Sequence, residues 1–183
     1  WMACLGLLWL SSCGGGNVML DNPNTEEGVI FTIDGSEEHS LRPGEMKAIS
    51  LGEGQHKVAV KGEKAGPLFE SDFLVKEGGV LHSGGNYIVW RQLYGVQTDR
   101  KSLLNEDWVM IDSTKFLGDL KLYPDSIHYI EKNWTMGLDK ELPESEALYI
   151  TKDYKVESKV FRQDQFIETY KALAEKSQKP KQE

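Results

Sequence analysis

Cysteine is nearly absent: Cys4 and Cys13 are the 2 in a chain of 183 residues. That excludes a disulfide-built scaffold and a zinc centre made of cysteines. Positive charge is also short, with 21 Lys+Arg against 29 Asp+Glu and a net charge of -8. An acidic chain repels phosphate backbones and anionic lipid headgroups, so neither nucleic acid nor polybasic membrane docking is expected. No apolar run is long enough to span a bilayer as a helix, which takes about 20 residues. Sequence signatures of the common catalytic classes are missing as well: no GxSxG elbow, phosphate-binding loop, HExxH or EF-hand loop occurs. What remains is an ordinary globular composition, 39% hydrophobic and 27% charged.

The start of the chain is a unit apart. Residues 2–10 (MACLGLLWL) are apolar and uncharged, and the small residues Ser11 and Ser12 precede Cys13. The run has the length of the apolar segment of a secretory signal. The tetrad Leu10-Ser11-Ser12-Cys13 resembles the lipobox of bacterial lipoproteins. That resemblance implies that 1–12 are removed as a signal peptide. It also implies that the Cys13 thiol receives diacylglycerol and that the new amino group is acylated, palmitate being the usual chain. Cys4 then leaves with the signal, and no intramolecular disulfide is available. Trp1 opens the chain with no Lys or Arg ahead of the apolar run, so a basic segment is expected to precede it in the full-length protein. Residues 13–26, which begin with Gly14-Gly15-Gly16, read as a flexible tether with a reach of roughly 20 Å. Gly14 stands where an Asp implies inner-membrane retention, so the resemblance implies the outer membrane. The absence of acidic residues before Asp21 leans towards its periplasmic face.

Beyond the tether, β-branched and aromatic runs alternate with Gly, Pro and Asp. Strands are expected at 28–33, 45–51, 55–61, 68–76, 86–94, 108–111, 115–122, 126–134, 147–151 and 154–161. Residues 56–61 and 154–161 show the clearest period of two, the mark of a half-buried antiparallel strand. Phe166, Ile167, Tyr170, Leu173 and Ala174 make one helical stripe, with Asp164 as the expected N-cap. The fold class is therefore mainly β: an antiparallel β-sandwich or small β-modules with one C-terminal α-helix at 163–177 and a mobile tail at 178–183.

Between 28 and 61 a strand enters Asp34-Gly35, a turn follows at Arg42-Pro43-Gly44, and Leu51-Gly52-Glu53-Gly54-Gln55-His56-Lys57-Val58-Ala59-Val60 forms a hairpin. This is similar to the PEGA-type β-modules of bacterial envelope proteins, whose pattern is a strand ending in Asp-Gly, then Leu-x-x-Gly-x-His-x-Val-x-Val. The resemblance implies a module at 27–62, with a larger β-rich region at 63–162, and a role as spacer or binding platform.

Candidate chemistry is sparse. His39, His56, His82 and His128 have no metal-ligand spacing, so no metal site and no cofactor are expected. The carboxylates Glu106, Asp107, Asp139, Glu141, Glu144 and Glu146 are the material for a glycan hydrolase, which needs two at a fixed separation. Trp90, Trp108 and Trp134 are the candidate ligand contacts, because exposed tryptophan stacks on sugars or anchors a protein. Of the three, Trp134 has the most polar neighbours and is expected to be the most exposed. Asp112-Ser113-Thr114 and Asp125-Ser126-Ile127 resemble the O-glycosylation sequence of Bacteroidota envelope proteins, which makes Ser113 and Ser126 modification candidates. The expected function is non-catalytic: a lipid-anchored binding or scaffolding protein of the cell envelope, its partners the membrane and an envelope protein or glycan. The rival readings are a carbohydrate-binding module and a carboxylate-dependent glycan hydrolase.

Overall fold

The computed structural model describes residues 15–95, 103–143 and 154–178. The lipobox, Glu144, Glu146, the expected strand at 147–151 and the tail beyond 178 lie outside the described residues. Twelve strands and one helix are described. In chain order they are β1 (Gly15–Asp21), β2 (Val29–Ile33), β3 (Glu37–Leu41), β4 (Met46–Gly52), β5 (Gly54–Gly62) and β6 (Gly66–Val75). They continue with β7 (Gly78–His82), β8 (Tyr87–Gly95), β9 (Asp107–Ile111), β10 (Thr114–Tyr123), β11 (Tyr129–Glu131), β12 (Tyr154–Arg162) and α1 (Gln163–Gln178). The mainly β class with one C-terminal helix is thus the observed one, and all strand pairs are antiparallel except β1 with β7. No described helix is long and apolar enough to cross a membrane.

Three four-stranded sheets stack in layers, ordered β3-β2-β5-β6, β11-β7-β1-β4 and β12-β8-β10-β9. Alternation in β2 and β5 turns Val29, Phe31, Ile33, Val58 and Val60 to one side, where they meet Val18 and Leu20 of β1, Leu51 of β4 and Leu81 of β7. The opposite face of this middle sheet offers Met19, Met46, Val80 and Ile130 to Tyr87 and Val89 of β8 and Val160 of β12. The far face of the third sheet packs Ile88, Trp90, Phe116 and Phe161 against Phe166, Ile167 and Tyr170 of α1. Edge-to-face aromatic pairs knit that last layer, with Trp90 and Phe166 centroids 5.4 Å apart and Phe116 and Tyr170 5.0 Å apart. Leu173, the next residue of the helical stripe, is exposed, and the helix starts one residue before Asp164, which lies in its first turn.

Two expectations about organisation are corrected. Residues 13–26 are not a tether from Gly15 onward, since β1 is an interior strand flanked by β4 and β7 with Val18 and Leu20 fully buried. Gly16, one of the glycines that suggested flexibility, serves close packing: a Cβ on it would stand 2.8 Å from the Gly78 nitrogen. The module at 27–62 does not close on itself either. Its β4 leaves to pair with β1, and β6 completes the first sheet, because the apolar face of β2 and β5 needs a second sheet to cover it.

A buried polar cluster joins the ends of the described chain. Asp21, with no exposure, accepts two hydrogen bonds from the Arg162 guanidinium, one of them from Nε at 3.0 Å, and another from the Tyr87 hydroxyl. Arg162 also donates to the Gly44 carbonyl at 3.0 Å. Burial, then the Asp21 charge, pushes the Tyr87 pKa far up, so its hydroxyl stays a donor. Next to it, buried Asn22 donates to the carbonyls of Glu27 and Arg42, both at 2.9 Å, and accepts from Ser83 Oγ at 3.0 Å. Removing one partner of such a pair strands the other charge. Asp21→Ala is expected to lower stability by about 3–5 kcal/mol in urea denaturation. A loss near that of a surface substitution would show that the cluster is not the link between the layers.

Candidate functional site

The third sheet has two edges that are treated differently. Along β12 the segment 135–138 seals the edge. Met136 donates to the Ser158 carbonyl at 2.9 Å, and Val160 donates to the Met136 carbonyl at 3.2 Å. The edge strand β9 has no further strand beside it among the described residues. Its hairpin partner β10 pairs with β8 through 119–123 and with β9 through 114–118. At the changeover Gly118 crosses Trp90, where a Cβ would come within 3.1 Å of the indole nitrogen.

Side chains of β9 alternate as the pleat requires. Val109 and Ile111 pack into the α1 layer, whereas Trp108 is 61% and Met110 54% exposed. Trp108 stands opposite Leu117, itself 43% exposed, and Met110 stands opposite Lys115. The Trp108 N–H is taken by the Asp107 carboxylate at 2.7 Å, not by β10. In an antiparallel pair alternate residues point their N–H and C=O to the same side, so the Met110 amide also faces the open edge. A recess of about 230 Å³ adjoins the strand end, lined by Asn86, Met110, Ile111, Asp112, Leu122 and Gln163 among others. Gln163 Nε2 donates to Asp112 at 2.9 Å and holds the hairpin turn to the start of α1.

Of the three tryptophans singled out in the sequence, only Trp108 is available to a ligand. Trp90 lies in the α1 layer and Trp134 in the core beneath the middle sheet, and both are buried. The polar neighbours of Trp134 misled because they sit on a segment that folds over β12, with Thr135 bonded to Ser158 and Glu157 while the indole turns inward. Ser113 and Ser126 are both exposed on turns, Ser113 directly after Asp112 at φ 44°. The hairpin edge itself left one trace in the sequence, the uncharged run Trp-Val-Met-Ile at 108–111.

Among the described residues no group of three metal-ligating side chains converges. His82 is buried with its ring nitrogens at the carbonyls of Gly84 and Ile127, 3.0 and 2.6 Å away, and His128 stacks on Phe69 at 3.5 Å. Burial lowers the pKa of both. His39 Nε2 lies 3.1 Å from Glu37. The carboxyls with displaced pKa values are all held low. Glu27 is held by the Ala65 and Lys64 N–H groups, and Asp34 by the Lys57 N–H and His56. Glu157 is held by Lys155 and Thr135 against the upward pull of partial burial. A general acid needs the opposite displacement.

His56 ties the Asp34-Gly35 turn to the Gly52-Glu53-Gly54 turn. Its Nδ1 lies 2.8 Å from Asp34 Oδ2 and its Nε2 2.8 Å from the Gly52 carbonyl, so the ring clasps one hairpin turn to the next. Partial burial draws the His56 pKa down, but the bonds to Asp34 and Gly52 outweigh it and raise the pKa above 6.5.

No family model matches the chain, and no curated protein or solved structure is similar enough to match it.

Two outcomes test this geometry. Because His56 is raised, its contribution to stability is full below pH 6.5 and is lost as pH climbs through the raised value. That of Asp34, lowered from 3.8, is present above that value and is lost on acidification through the folded pKa. The His56 ring titration followed by NMR should have its midpoint above 6.5, and Asp34→Asn should move it down. A midpoint indifferent to that substitution contradicts the clasp. Acrylamide quenching should act mainly on Trp108, so that Trp108→Phe removes most of the quenchable emission of residues 13–183. Unchanged quenching would mean that Trp90 or Trp134 is open.

Proposed function

We propose that this chain is a lipid-anchored binding protein of a bacterial outer membrane, tethered through Cys13 and acting without catalysis. The observation that carries the reading is the spacing of its two parts: the Leu10-Ser11-Ser12-Cys13 tetrad ends two residues before Gly15, where the packed strand β1 begins. Two residues reach at most about 7 Å. A body anchored there rides against the bilayer surface instead of on a long leash. Acyl chains contribute about 0.8 kcal/mol per buried CH₂, so two or three on one residue hold the protein to the membrane durably. Gly14 and the uncharged run that follows favour the outer membrane and its periplasmic side.

The binding role is supported by the β9 hairpin, where Trp108, Met110 and Leu117 form an apolar surface. Contiguous exposed apolar residues mark interaction sites more often than they mark enzyme pockets. The partner in this reading is an envelope protein, and no cofactor or metal enters it.

Metabolic labelling with radioactive palmitate tests the anchor. The parent and Cys4→Ala are expected to take up label, and Cys13→Ala to lose it and to be released from the membrane fraction. Label retained by Cys13→Ala, or no label in the parent, overturns the reading.

A further inference from the structure

We propose that the open edge of β9 receives an extended segment of a partner protein as an added strand, one with alternating apolar residues and basic residues at its ends. The inference rests on the binding role above and names the chemistry of its partner. Natural sheets protect their edges with charge, proline or a covering segment. Here β12, at the other edge of the same sheet, is covered by 135–138. The edge strands of the other two sheets carry protection in their sequence: β3 has Glu37 and Glu38, β4 has Lys47, and β6 has Pro67, Glu70 and Asp72. Strand β11 is only three residues long. Strand β9 carries its one charge, Asp107, at its first position. The four residues from Trp108 to Ile111 have neither charge nor proline, and no described strand lies beside them on the side away from β10.

The Met110 N–H and C=O and the Trp108 C=O face outward, which is what strand addition uses. Trp108 and Leu117 supply an apolar face for alternate side chains of the incoming segment, and the recess beside Met110 and Leu122 takes one of them at the strand end.

Charge decides between the two occupants such an edge can have. Asp107 opens the strand and Asp112 follows it, so both ends are acidic, while Lys115 lies one strand further in. Pairing of two copies would gather four carboxylates along one strand pair, on chains of net charge -8 each. A segment with Lys or Arg at its ends meets opposite charge at both.

The test uses two synthetic heptapeptides, Lys-Val-Thr-Leu-Thr-Val-Lys and its twin with Glu at both ends, titrated into the full lipidated chain in detergent. Binding is read by Trp108 fluorescence and by hydrogen exchange of the Met110 amide. The Lys peptide is expected to bind, to slow exchange at Met110, and to weaken as salt rises. The Glu peptide is expected to bind about tenfold more weakly. Met110→Pro removes the outward donor without touching the ladder to β10, and it should abolish binding while leaving the circular dichroism unchanged. Should that variant unfold, the Met110 exchange rate in the parent carries the test alone. Three results overturn the proposal: equal affinity for both peptides, no binding of the Lys peptide at millimolar concentration, or protection of Met110 that grows with protein concentration in the absence of peptide. The last would assign the edge to a second copy. Palmitate labelling is scored separately, so failed peptide binding on a labelled protein removes this proposal and leaves the anchor standing.

Discussion

The fold depends on one buried ion pair. Asp21 ends the first described strand and Arg162 ends the last, so this contact, 141 positions apart in sequence, ties the two together across the layers. Neither can be left alone in that position, since an uncompensated charge with little or no exposure is among the costliest defects a core can hold. Tyr87 fills the second lone pair of the same carboxylate oxygen, and Gly44 takes a guanidinium proton. All three sheets feel this constraint. Asp21 lies in the middle one, Tyr87 and Arg162 in the third, and the neighbouring Asn22 fixes the carbonyls that lead into and out of the first.

From that pin the layers follow. The middle sheet is covered on both faces, the first sheet buries one face, and the third is sandwiched between the middle sheet and α1. Covering two faces removes the need for polar residues on either, which is why β7 is buried at every position and why Gly16, Gly78 and Gly79 replace larger side chains where backbones crowd. The β9 hairpin is what remains outside this stack. Its inner face completes the aromatic layer under α1, and no described strand lies beside its edge.

The proposed anchor and the β9 edge together describe one kind of object: under that reading the body would be held close to a membrane and would offer a strand edge to a partner. Under that proposal the two residues from Cys13 to Gly15 limit the leash to about 7 Å, far shorter than a leader reaching to Glu26 would allow.

The sequence by itself determined the class of the fold, the helix and most strands of the two outer sheets. Residues 56–61 could be read directly, because a sheet with one solvent-facing side writes its period of two into the residues. The alternation at 154–161 instead belongs to a strand that is buried on both faces from Glu157 to Phe161. The sequence also supplies the Leu10-Ser11-Ser12-Cys13 tetrad on which the proposed lipid attachment rests. Only the tertiary structure decided the centre of the middle sheet. Strands β1 and β7 are short and glycine-containing and lie between β4 and β11. From sequence the first reads as tether and the second is not expected. Strand β3, with Glu37 and Glu38 exposed, is not among the expected strands because little of it is apolar. Which tryptophan is exposed was likewise a tertiary matter. Trp134 has polar neighbours, but its indole turns into the core beneath the middle sheet, while Trp108 sits in an apolar run and lies on the hairpin face that it shares with exposed Leu117. Local sequence fixes which way side chains alternate, and long-range packing fixes which side is covered.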